Sequence, residues 1–65
     1  MALILLIDDD SFYRGVLRQI LEDGGHQITE AVNGPEGLER FRSQRPDLVI
    51  TGAGVYLLRR PRRRR

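Results

Sequence analysis

Three adjacent carboxylates, Asp8, Asp9 and Asp10, follow five unbroken apolar residues, Leu3 to Ile7. Unpaired charge is costly to bury, so the acids belong at the rim of whatever the apolar run enters. Side by side they offer hard oxygen donors of the kind that hold a divalent cation. The same residues would serve equally well as a solvated cap between a strand and a helix, and the motif alone does not separate the two readings. A continuous apolar run, rather than an alternating one, reads as a strand covered on both faces. In open α/β sheets the carboxyl ends of such strands form the edge where ligands bind.

Other site chemistry finds little support. There is no cysteine, hence no disulfide and no thiolate ligand. The single histidine, His26, has no second histidine or cysteine with which to build a zinc site, and reads as an exposed residue at the start of a strand. Ser11 and Ser43 fall in helix-cap contexts away from His26, so no Ser-His-Asp set forms. Thr51-Gly52-Ala53-Gly54 begins like a dinucleotide-binding loop, but Leu57 stands where the third glycine is needed.

The elements that must position the acids can be read in order. Ser11 is a plausible N-cap for a first helix. Tyr13, Leu17, Ile20 and Leu21 share one helical face, which Phe12 and Val16 widen, while Arg14, Arg18, Gln19, Glu22 and Asp23 face out. Gly24-Gly25 ends the helix. Gly15 costs about 1 kcal/mol relative to alanine inside it and suggests close packing. His26 to Val32 alternates as a half-buried strand. Asn33-Gly34-Pro35 is turn chemistry, with Pro35 suited to the first position of a second helix that stops before Pro46. Asp47 to Thr51 is a third strand. Because crossovers between parallel strands are right-handed, β-α-β-α-β predicts a three-stranded parallel sheet in the order 2-1-3.

The 65 residues allow one small domain, and a chain of about this size buries only about 60% of its unfolded surface. No apolar run approaches the roughly 18 residues of a membrane span. Met1 to Ile7 is too short and lacks the basic flank of a signal peptide, which points to the cytoplasm. The net charge of +2 conceals a division. Residues 1–51 carry nine acids and five arginines, a balance of −4, whereas residues 52–65 carry six arginines and no acid, +6. The organisation expected is therefore a folded part, 1–51, and an Arg-rich tail, 52–65.

Taken together, Leu-Leu-Ile-Asp-Asp-Asp (5–10), the amphipathic helix ending in Gly-Gly, Ala-Val-Asn-Gly-Pro-Glu-Gly-Leu (31–38) and Arg-Pro-Asp-Leu-Val-Ile-Thr (45–51) resemble the N-terminal half of a bacterial response-regulator receiver domain. The resemblance covers about three quarters of the chain. It implies a flavodoxin-like fold and a place in two-component phosphorelay signalling, with a sensor histidine kinase as partner and no enzymatic activity of its own. It also implies that Asp8 and Asp9 are the acidic pair that holds Mg²⁺, with Asp10 leading into the helix. Mg²⁺ takes one or two carboxylates, several waters and phosphate oxygens, which suits such a rim.

The match breaks after Thr51. The family places its phosphate-accepting aspartate directly after the third strand, and that position here is Gly52. Glycine offers no acceptor. The chain also has no lysine to supply the family's conserved cation. The expectation is a truncated receiver relative that is not phosphorylated and binds Mg²⁺ weakly. Its Gly-, Ala-, Pro- and Arg-rich ending equally suits a frameshift in a GC-rich gene, with no evolved role. The alternative function is non-specific polyanion binding by Arg59, Arg60, Arg62, Arg63, Arg64 and Arg65, either to nucleic acid or to an anionic lipid surface.

An open edge on the third strand and a half-bare face beside the first helix lead to one further expectation. The chain should form a homodimer or larger assembly. Third strands, or Val55 to Leu58 as an added strand, would complete the sheet, and first helices would pack together.

Overall fold

A computed structural model describes residues 1–52 and 54–57. Strand β1 (Leu3–Ile7) leads into helix α1 (Ser11–Asp23), β2 (Gln27–Ala31), α2 (Gly34–Gln44), β3 (Leu48–Thr51) and β4 (Gly54–Leu57). The sheet order is β2-β1-β3-β4. The parallel part follows the expected 2-1-3 order, with Leu5 beside Thr29 on one side and Val49 on the other.

The expectation of a purely three-stranded parallel sheet is corrected by β4. This strand turns back and pairs antiparallel with β3, so that Thr51 faces Gly54 and Leu48 faces Leu57. The physical reason is local. Gly52 stands in a turn after β3, Gly54 adopts a φ of 155°, and Val55 and Tyr56 are good strand formers. The edge of β3 is thus covered within the chain, which removes it as a pairing edge for a second copy. The free edge of the described sheet on that side is β4.

The core sits on β1. Ile4, Leu5 and Leu6 are buried, as the unbroken apolar run requires, because helices cover both faces. Right-handed crossovers on either side of β1 place α1 and α2 on opposite faces. Leu5, Val49 and Ala31 form the core on the α2 face, with Ile7 against it. There Gly37 lets α2 approach, since a Cβ at that position would overlap the Ile7 side chain. Ile4 and Leu6 lie under α1.

Helix α1 departs from its sequence reading in four ways. Its N-cap is Asp10, not Ser11. The Asp10 carboxylate accepts from the backbone N–H of Phe12 at 3.0 Å and of Tyr13 at 3.2 Å, and its charge complements the helix dipole. Its apolar stripe is only partly used. Leu17 and Leu21 are half-buried, whereas Phe12, Tyr13, Val16 and Ile20 are exposed. Gly15 does not serve close packing, because a Cβ there would meet nothing within 4 Å.

Arg14, expected to face out, instead lies against the sheet. Its Nε donates to Glu30 Oε1 at 2.7 Å, and its side chain is only 14% exposed. Helix α2 is capped by Asn33, whose side chain accepts from the Glu36 N–H, and it ends at Arg45 in the left-handed conformation, with a φ of 52°. His26 is half-buried rather than exposed, and its Nδ1 accepts from the Ala2 N–H at 3.1 Å.

Candidate functional site

The acidic triplet lies just past the carboxyl end of β1. The Asp8 N–H donates to the Ala31 carbonyl at 3.1 Å, which continues the β1–β2 ladder by one residue and fixes where the loop leaves the sheet. The Asp8 carbonyl accepts from Arg14 Nη1 at 2.6 Å, so the same arginine that pairs with Glu30 also clamps this loop. Asp8 Oδ1 accepts from the Asp10 N–H at 2.9 Å, a local turn that orients the carboxylate. Asp8 is half-buried, and Asp9 is exposed beside it.

The three acids therefore have three different positions. Asp8 is held by the loop, Asp9 stands in solvent at the rim, and the carboxylate of Asp10 is committed to the helix cap. Two carboxylates remain that could hold a hard cation. Among the described residues no group of three or more acidic or histidine side chains converges on one point.

Gly52 lies across the rim from Asp8. It follows β3, whose last residue, Thr51, pairs with Ile7 at the end of β1. A Cβ built on Gly52 would stand 3.9 Å from Asp8 Oδ2. The position after the third strand thus opens onto the acidic loop, but it carries no side chain.

The ion-pair network behind the loop was not legible from spacing within one element. Glu30 on β2 receives both Arg14 and Arg18 of α1, and Arg18 also pairs with Glu22 at 2.9 Å. The Arg14 hydrogen bond, then that of Arg18, holds the Glu30 carboxyl below its usual range, against the opposing effect of its burial. The arginines Arg59, Arg60, Arg62, Arg63, Arg64 and Arg65 lie outside the described residues.

The family model described as "Response regulator receiver domain" matches residues 4–54. The chain belongs to the response regulator receiver family. This receiver chain is 45% identical over 47 residues to the chemotaxis protein CheY of Halobacterium salinarum, covering 72% of the chain and 39% of that relative. It is 42% identical over 50 residues to the transcriptional regulatory protein AfsQ1 of Streptomyces coelicolor, covering 77% of the chain and 22% of the relative. It is 40% identical over 50 residues to the protein PilH of Pseudomonas aeruginosa, with 77% and 41% covered. The receiver chain therefore spans less than half the length of these curated relatives. Among the described residues no helix is long and apolar enough to cross a membrane.

Proposed function

We propose that this chain is a non-enzymatic receiver module of phosphorelay signalling that keeps the acidic rim of its family and does not take a phosphoryl group. The observation that carries this reading is the Gly52–Asp8 juxtaposition. The strand end that faces the acidic loop presents backbone only. An aspartyl phosphate needs a carboxylate at that point, and the residue there is glycine.

Asp8 and Asp9 are the residues that would hold Mg²⁺. Two carboxylates at an open rim suit an ion that keeps most of its waters, and such an ion would offset charge on a phosphate brought to the rim. With two protein ligands the affinity is weak. An amide-resolved NMR titration with MgCl₂ tests this. The Asp8, Asp9 and Gly52 signals should move at millimolar Mg²⁺ and should stop moving in Asp8→Asn. Shifts confined to other residues would refute the assignment.

The proposed partners are a sensor histidine kinase and a second copy of the chain, in the cytoplasm. Self-association is supported by the exposed apolar residues on α1 and β4. Sedimentation equilibrium at micromolar concentration should show a dimer, and a folded monomer would contradict it.

A further inference from the structure

We infer that two copies of this chain interleave through their α1 faces, each α1 filling the bare strip of sheet on the other. This rests on the self-association proposed above and specifies its geometry.

Among the described residues the α1 face of the sheet is only half covered. Helix α1 packs on β2 and β1, and its backbone does not approach β3 or β4. Strand alternation and register place Leu48 and Ile50 of β3, and Val55 and Leu57 of β4, on this same face. Val55 and Leu57 are each 63% exposed, and Leu48 and Ile50 are half-buried.

Helix α1 adds a second apolar surface beside the strip. Its ion-paired flank, Arg14 and Arg18, reaches over β2 to Glu30. At 3.6 residues per turn Tyr13, Val16 and Ile20 fall on the other flank, toward the strip. Phe12, 79% exposed, and Ile20, 59% exposed, are the most open apolar side chains of the helix.

The two surfaces match in size. Two strands about 4.8 Å apart leave a strip about 10 Å wide, and a helix is about 10 Å across. Each copy therefore carries one helix and one helix-sized gap side by side on one face. A two-fold axis parallel to the strands, at the level of the helices, exchanges helix and gap. Each α1 then enters the partner's gap with the two helices side by side between two sheets. The arrangement is closed and self-complementary, as a two-fold interface must be. The exposed apolar side chains of helix and strip present an area on the order of the ~800 Å² per partner that a stable interface buries.

The opposite face fits less well. A groove of about 300 Å³ runs beside α2, lined by Leu5, Ile7, Leu38, Phe41 and Val49 among others. Its outer strip, however, offers Thr51, Gly54 and Tyr56 where the α1 face offers four large aliphatic residues.

The test uses the full 65-residue chain. Sedimentation equilibrium of Ile20→Glu should show association weakened by at least about a hundredfold in affinity, with helix content by circular dichroism unchanged because the residue is exposed in the single chain. The chain has no cysteine, so Val16→Cys and Val55→Cys can be mixed and oxidised cleanly. A disulfide between the two variants is expected, in preference to either variant pairing with itself. A wild-type dimer that survives Ile20→Glu, or that cross-links only Val55→Cys to itself, would overturn the interleaved arrangement and leave self-association standing through another surface, such as the β4 edge. A monomeric wild type would overturn both, and would leave this face to a partner other than a second copy.

Discussion

Asp8 Oδ2 lies 3.9 Å from the point where a β-carbon on Gly52 would stand, across the rim formed by the ends of β1 and β3. A side chain at residue 52 would enter the space that the acidic loop already frames. Gly52→Asp should therefore add a third carboxylate to the Asp8–Asp9 pair. Mg²⁺ affinity responds to ligand charge count, and the gain expected is about tenfold. Isothermal titration of the wild type and the variant would measure it. Equal affinities would mean that residue 52 does not reach the ion.

The Glu30 network makes stability depend on acid. In the folded chain Arg14 and then Arg18 depress the Glu30 pKa below its usual 4.5. The unfolded chain therefore takes up this proton first as pH falls. The contribution is complete above about pH 4.5 and is lost as pH drops through the lower folded value. Glu30→Gln should cost about 0.5–1 kcal/mol near neutral pH, the range of a partly screened ion pair. It should also flatten this part of the acid limb of the stability curve. Urea unfolding between pH 3 and pH 7 checks both effects, and an unchanged acid limb would contradict the assignment.

Gly15 is a point where the chain is less stable than it needs to be. A Cβ would meet open space there, and the backbone is helical. Gly15→Ala should stabilise the fold by about 1 kcal/mol, raising the melting temperature by about 4–8 °C for a domain of this size. A drop in melting temperature would show that this side of α1 is more crowded than the described structure indicates.

How much of this could be read from the residues depends on whether the deciding contact was local. Leu3 to Ile7 read as a doubly covered strand because the apolar run is short, unbroken and ends in three acids. Asn33-Gly34-Pro35 fixed the start of α2 within a residue. The purely parallel sheet failed at Gly54 to Leu57, whose pairing with β3 depends on a turn across Gly52, just where the family pattern stops. Arg14 failed because its partner, Glu30, lies 16 residues away on another element. At the site, the place of Asp8 and Asp9 just past the carboxyl end of β1 was legible from type and position. That the Asp10 side chain caps the helix, and that Gly52 faces Asp8, required the fold.

Removing residues 59–65 separates charge from assembly. Binding to a polyanion such as heparin should disappear and, in the full chain, should weaken steeply as salt rises, as a purely electrostatic interaction must. The dimer should persist, because its proposed contacts lie in α1, β3 and β4. Loss of the dimer together with heparin binding would instead place the arginines in the interface.

The central claim is that the acidic rim stands opposite a strand end with no phosphate acceptor. Intact-mass spectrometry after incubation with acetyl phosphate and Mg²⁺ tests it most directly. The account predicts an unchanged mass for the 65-residue chain. A stable, hydroxylamine-sensitive phosphoryl adduct mapped to Asp8, Asp9 or any other carboxylate at this rim would contradict it.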